Sequence, residues 1–78
     1  MTTAFLPYRM NEIIKNKAKQ IPCKSVWYWD SEETAVVICT ERPGFWIGLQ
    51  GNDDQQLRAE LSNIFGDVVK TKYIECAG

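Results

Sequence analysis

A short glycine-flanked segment is the part of this 78-residue chain best suited to hold a ligand. Gly48 and Gly51 stand three residues apart, directly after the apolar run 45–47. Neither glycine carries a Cβ, so the backbone between them can approach a ligand closely. A predicted helix begins directly behind Gly51, and helix N-termini offer free N–H groups and a positive dipole potential. This combination suits the phosphodiester backbone of a nucleic acid.

Other residue types that carry chemistry are sparse in this chain. It has no His, and Cys23, Cys39 and Cys76 are widely spaced and form no C-x-x-C pair. Zinc sites and nucleophile–base pairs need clusters of such residues. We therefore predict no metal site, no cofactor and no enzymatic activity. We interpret the cysteines as free and partly buried thiols.

Basic residues are concentrated near the N-terminus, although the net charge of the chain is only −1. Residues 1–24 contain five basic side chains and one acidic side chain, whereas residues 25–78 contain four basic and nine acidic ones. This distribution excludes a uniformly basic nucleic-acid-binding protein, but it allows a basic strip on one element. Alternatively, these N-terminal lysines only solvate the outer face of a helix.

The length of the chain, which starts at Met1, predicts one small domain over residues 1–78. No apolar run approaches the ~20 residues of a membrane span. The N-terminal residues also lack the basic and long apolar regions of a signal peptide. We therefore expect a cytoplasmic protein with no membrane partner.

Hydrophobic periodicity and turn residues divide the chain into helices and strands. In order, they predict a lead-in over 1–7, a helix over 8–21, an antiparallel hairpin over 25–40, a helix–loop–helix unit over 43–66 and a strand over 67–76. Asn52 is the predicted N-cap of the second helix of that unit, with Gln55 as its capping-box partner. Helices and strands then share one core, which predicts an α+β fold with a three-stranded sheet and helices on one face.

Residues 40–51, with the sequence TERPGFWIGLQG, and the following Leu57 and Leu61 resemble the core of a type II KH domain. The likeness is strongest to the KH domains of the GTPase Era and of the bacterial small-subunit ribosomal protein that lines the path of incoming mRNA. The predicted element order also matches that family along the full chain. The resemblance implies a type II KH-like fold and the binding of single-stranded RNA or DNA.

In that family the G-x-x-G loop clamps the backbone of about four nucleotides. The resemblance implies that the two glycines allow close approach and that the residues between them present backbone N–H groups. It also implies that Ile47 lies at the junction of the core and the nucleic-acid-binding groove, and that Arg42 binds a phosphate. The residues expected to contact the nucleic acid are Arg42, Ile47, Gly48, Leu49, Gln50, Gly51, Lys70 and Lys72.

This chain departs from the family at the tip of the loop. Family loops usually carry Lys or Arg where this sequence has Leu49 and Gln50, and Asp53 and Asp54 follow closely. Fewer phosphate contacts lower the affinity and its dependence on salt, so we expect weak binding. The alternative is a degenerate KH fold that serves as a protein–protein interaction module, a homodimer or an inhibitor. Exposed aromatic residues would anchor such a partner, although we expect at least two of the three tryptophans in the core.

Overall fold

The computed structural model describes residues 6–76, so most of the predicted lead-in lies outside the described residues. The elements are α1 (Tyr8–Lys19), β1 (Ser25–Asp30), β2 (Ala35–Thr40), α2 (Pro43–Ile47), a 3-10 turn (Leu49–Gly51), α3 (Asn52–Phe65) and β3 (Lys70–Glu75). They confirm the predicted α+β class with a three-stranded sheet. None of the helices within residues 6–76 is long and apolar enough to cross a membrane.

The sheet is mixed, with β2 between the other two strands. β1 runs antiparallel to β2, as the predicted hairpin requires, with Ser25 opposite Thr40. β3 runs parallel to β2, with Thr40 opposite Glu75. Parallel neighbours need a crossover connection. Here α2, the glycine loop and α3 form that connection, which places the loop between two helices.

The first helix follows the predicted apolar stripe. Met10 and Ile14 are fully buried, and basic side chains occupy its last turn. The helix was predicted to extend to residue 21 but ends at Lys19. The N–H of Gln20 donates to the Lys17 carbonyl at 3.0 Å, three residues back, which is the hydrogen bond of a 3-10 turn. The α-helix therefore ends before Pro22, which disfavours helical geometry in the residue that precedes it.

Two tryptophans belong to the core, as predicted. Trp46 is fully buried, and Trp29 is almost fully buried against Phe65, with ring centroids 5.2 Å apart. Trp27 is half-buried, lies 6.4 Å from Trp46 between ring centroids, and donates its Nε1 proton to Asn11 Oδ1 at 2.8 Å. These contacts hold the helices against one face of the sheet. Aliphatic residues complete the core, namely Met10, Ile14, Ile21, Val36, Ile38, Leu57, Leu61 and Val69.

The start of α3 differs from the prediction. Asn52 is the first helical residue rather than the N-cap, and no side chain caps this end. Gly51 occupies the cap position in the left-handed conformation, with φ 77°. The reason is the 3-10 turn, which runs straight into the helix because the Asn52 N–H donates to the Leu49 carbonyl. Asp53 and Asp54 nevertheless lie in the first turn of α3, where carboxylates favour the helix dipole.

Candidate nucleic-acid interface

A buried hydroxyl at the end of β2 positions the chain that leads into the loop. Thr40 is fully buried, and its Oγ1 accepts hydrogen bonds from Ser25 Oγ at 2.9 Å and from the Arg42 N–H at 3.3 Å. Ser25 Oγ in turn accepts the Trp46 Nε1 proton at 3.0 Å. Cys23 Sγ lies 3.4 Å from the same Thr40 oxygen. This network fixes α2 relative to the sheet, and with it the start of the loop.

We expect Ser25→Ala to lower the free energy of unfolding by about 1–3 kcal/mol, because it leaves the buried Trp46 N–H without its acceptor. Urea unfolding followed by tryptophan fluorescence measures the change. Ser31→Ala, in the exposed β1–β2 turn, is the matched control and should change stability by less than about 0.5 kcal/mol. Equal losses in the two variants would contradict a structural role for the network.

The loop itself needs both glycines, for different reasons. Gly48 ends α2 with φ 79° and ψ 177°, a conformation that only glycine adopts readily. A Cβ on Gly48 would lie 2.7 Å from Asp53 Cβ, so the glycine also makes room for α3. Gly51 has left-handed backbone angles, but an added Cβ there would meet nothing within 4 Å. Gly48 therefore fixes how the loop and α3 pack, whereas Gly51 only turns the chain.

The tip of the loop is the most accessible part of this region. Leu49 is 81% exposed, and Gln50 is exposed with φ 55° in the left-handed region. Ile47, just before the loop, is half-buried. The segment from Ile47 to Gln50 thus passes from the core to solvent within four residues.

The two carboxylates behind the loop already have partners. Asp53 Oδ2 forms an ion pair with Lys17 Nζ of α1 at 3.2 Å. This contact brings one N-terminal lysine beside the loop. Because Lys17 offsets the charge of Asp53, a phosphate approaching Gly48 meets less repulsion than the sequence alone suggests.

Asp54 faces the sheet and is bound by three side chains. Its Oδ1 accepts hydrogen bonds from Thr71 Oγ1 at 2.5 Å and from the Tyr73 hydroxyl at 2.6 Å, and its Oδ2 pairs with Arg58 Nε at 3.1 Å. Burial raises the pKa of the Tyr73 phenol above its ordinary value of 10.0, and the Asp54 carboxylate raises it further. Asp54 therefore serves to join α3 to β3 and does not project toward a ligand.

The raised pKa of Tyr73 predicts a loss of stability in alkali. Above the ordinary pKa of 10.0 the unfolded chain releases the phenol proton while the folded chain retains it, so the free energy of unfolding falls as the pH rises. Urea unfolding between about pH 9 and about pH 11 should show a steeper decline for the wild-type chain than for Tyr73→Phe. Parallel declines would show that Tyr73 titrates alike in both states.

Arg42 lies at the N-terminal end of α2, one short helix away from the loop. It is exposed, and within residues 6–76 no carboxylate forms an ion pair with it. It contributes to a shallow groove of about 610 Å³ that also contains Phe45 and two acidic residues, Glu41 and Glu75. Its charge is therefore available to a phosphate, although carboxylates lie nearby.

Lys70 and Lys72 are not brought together with the loop. Thr71 and Tyr73 point toward α3, so the alternating lysines of β3 point to the opposite face of the sheet. Both lysines lie 3.6 Å from Glu33 Oε1 in the β1–β2 turn. The structure thus removes these two residues from a site that includes the loop.

A groove that the sequence did not predict lies between α1 and α3, directly beside the loop. Its volume is about 400 Å³, and Lys17 and Asp53 contribute to it. Its other polar residues are mainly amides and one carboxylate, namely Asn16, Gln20, Gln56 and Glu60. The groove extends the polar surface from the loop along the helices. Only the i, i+3 and i+4 spacing of these residues on two helices could have indicated it.

Cys23, Cys39 and Cys76 are free and half-buried. Within residues 6–76, no three Cys, Asp or Glu side chains gather into a group that could hold a metal ion. In comparisons with known proteins, no protein-family model and no curated protein sequence matches this chain.

Proposed function

We propose that this protein binds single-stranded RNA or DNA weakly through the loop from Gly48 to Gly51. The observation that carries the proposal is the exposed loop tip, which stands between two helices at the N-terminus of the 14-residue α3. The N–H groups of Gly48, Gly51 and Asn52 already donate to carbonyls of this segment. The N–H groups of Leu49 and Gln50 at the tip would donate to phosphate oxygens, and the dipole of α3 favours the negative charge.

The local charge permits the same function. Lys17 and Arg58 form ion pairs with Asp53 and Asp54, which offsets the charge of the two carboxylates behind the loop. Arg42 is exposed, but Glu41 and Glu75 share its groove, so a phosphate gains few direct contacts. Binding should therefore be weak and only moderately dependent on salt.

The topology of the fold is part of this proposal. We infer a type II KH topology from the order of the elements, helix–strand–strand–helix–loop–helix–strand, and from the G-x-x-G crossover between the parallel strands β2 and β3. Such domains bind about four nucleotides of a single strand. The expected ligand is therefore a short unpaired stretch rather than a duplex.

Fluorescence anisotropy with short labelled single-stranded RNA and DNA oligomers tests the proposal. We expect saturable binding at low salt that weakens as salt is raised. The logarithm of the binding constant should fall linearly with the logarithm of the salt concentration, with a slope of about 0.7 for each phosphate contacted. A duplex of the same sequence is the control for unspecific electrostatic attraction. A folded protein that binds no oligomer at low salt would contradict the proposal.

Removing the carboxylate nearest the loop should strengthen binding. We expect Asp53→Asn to raise the affinity for single strands by about two- to fivefold, because it removes a negative charge and releases Lys17. Glu60→Gln, an equal change of charge farther along α3, is the matched control with a smaller effect. The same anisotropy titration measures both variants. An affinity that Asp53→Asn leaves unchanged or lowers would count against phosphate binding beside Gly48.

A second candidate function is a protein–protein interaction module or inhibitor with little affinity for nucleic acid. Two exposed apolar side chains, Phe45 on α2 and Leu49 at the loop tip, favour it. Exposed aromatic and aliphatic residues of this kind anchor protein interfaces. This candidate predicts that a well-folded chain fails to bind every single strand tested, and that Leu49→Asp abolishes binding to a protein partner.

A further inference from the structure

The sheet face opposite to the helices carries three cross-strand rows of side chains. From the Thr40 end, the register makes these rows Val26, Cys39 and Ile74; Tyr28, Val37 and Lys72; and Asp30, Ala35 and Lys70. The outer side chains Val26, Tyr28 and Ile74 are 65%, 52% and 48% exposed. The face therefore changes along the strands from apolar to charged, and within its last row the charge changes from negative on β1 to positive on β3.

We propose that a second copy of this chain packs on this face, about a two-fold axis that runs along the strands above β2. Such a rotation leaves the position of each residue along the strand direction unchanged, and it places β1 of one copy over β3 of the other. Each row of side chains therefore faces the same row of the partner, with the order of the three strands reversed. This arrangement is isologous, as in most homodimers.

The three rows match in this arrangement. Val26 meets the partner's Ile74, and Tyr28 meets the partner's Lys72, a pairing that suits a cation–π contact. In the last row Asp30 meets the partner's Lys70. Each pairing occurs twice because of the symmetry, so the charged row forms two ion pairs across the interface.

A two-fold axis across the strands does not match. It would place β1 on β1 and reverse the order of the rows. The apolar Val26 would then lie on Asp30, and Ile74 would lie on Lys70. Between these two aligned arrangements, charge complementarity favours a second copy in parallel orientation on this face.

The charged end of the face carries no net charge that would repel a second copy. Glu33, in the β1–β2 turn, lies 3.6 Å from both Lys70 and Lys72, and Asp30 is the other carboxylate there. Two acidic and two basic side chains therefore balance. The dimer uses the sheet face and leaves the glycine loop open, so it does not depend on the proposed nucleic-acid binding.

The area of the face sets the expected strength of the dimer. Three strands of six residues cover about 15 Å by 20 Å, an area of roughly 300 Å². This area is far smaller than the roughly 800 Å² that each partner buries in a stable interface. We therefore expect a weak dimer that forms as the protein concentration rises. Sedimentation equilibrium should show a mass that increases from 9.0 kDa toward twice that value by about 1 mM. A mass that remains at 9.0 kDa throughout would overturn the proposal.

Cys39 lies on β2, beneath the proposed axis, and provides a direct test of the geometry. Packed sheets are about 10 Å apart, so the two Cys39 thiols would face each other within reach of a short bismaleimide. In the background Cys23→Ser/Cys76→Ser, we expect the reagent to give a covalent dimer. The matched control keeps only Cys23, whose sulfur contacts Thr40 on the helix side, and should stay monomeric. Equal crosslinking through the two cysteines would overturn the proposed interface.

Lys70→Glu tests the orientation of the two copies. It places a carboxylate over the partner's Asp30 twice, and we expect the dimer dissociation constant to rise by about five- to tenfold. Lys15→Glu, an equal charge change on the exposed side of α1, is the control with a much smaller effect. Circular dichroism verifies that both variants are folded. If the dimer of Lys70→Glu is as strong as that of Lys15→Glu, the parallel arrangement is wrong.

Discussion

Gly48→Ala should lower the free energy of unfolding by about 3 kcal/mol or more, a large share of the stability of a domain this small. The backbone at Gly48, with φ 79° and ψ 177°, lies in a region that costs other residues about 1–3 kcal/mol. The new Cβ would also lie 2.7 Å from Asp53 Cβ, an atom next to the helix backbone that cannot move aside alone. Urea unfolding measures the loss.

Gly51→Ala is the matched control for this prediction. Its backbone is left-handed, but its added Cβ meets nothing within 4 Å, so strain is the only cost. We expect a loss of about 1–2 kcal/mol. If the two alanine variants were equally stable, the contact between Gly48 and the first turn of α3 would not constrain the loop.

The double variant Leu49→Asp/Gln50→Asp should lose single-strand binding by about tenfold or more, with little change in stability. Two carboxylates at the loop tip would repel a phosphate held by the neighbouring N–H groups. The tip tolerates the change because Leu49 is 81% exposed and Gln50 already has a left-handed conformation, which Asp adopts more readily than most residues. Anisotropy titrations at low salt measure the affinity.

The opposite change supplies the control. Leu49→Lys/Gln50→Lys introduces basic residues at the loop tip, where the KH loops that this segment resembles usually carry them. We expect higher affinity and a salt slope steeper by about 0.7 for each new phosphate contact. If the aspartate and lysine variants bind a single strand equally well, the loop tip does not contact phosphates.

Local sequence patterns predict the type and order of the elements in this fold, although not all of their ends: the strand predicted over 67–76 is β3, Lys70–Glu75. The spacing of Met10 and Ile14 indicates the buried face of α1, and the aromatic and β-branched residues of 25–40 indicate the hairpin. Pro43 and Gly48 mark the start and end of α2 because proline suits the first turn, and glycine suits the positive φ at the end. These features depend on neighbours within a few residues.

The composition of the site could not be predicted in the same way, because it depends on contacts between distant parts of the chain. The Asp53–Lys17 ion pair joins α3 to α1, and Asp54 reaches across to Thr71 and Tyr73. A sequence shows the charge of each residue but not its partner. Successive side chains of β3 point to opposite faces of the sheet, which separates Tyr73 from Lys70 and Lys72. Only the packing of α3 decides whether Tyr73 or the two lysines lie on the side of the loop.

The most direct test of loop binding follows the backbone amides of the ¹⁵N-labelled protein by NMR during titration with a short single-stranded RNA. We predict shifts that are concentrated at residues 47–55, and at Lys17 and Arg42, and that disappear in Leu49→Asp/Gln50→Asp. The amides of Lys70 and Lys72, on the opposite face, should remain unchanged. Shifts confined to the open sheet face, or none at low salt, would contradict a nucleic-acid site at the G-x-x-G loop.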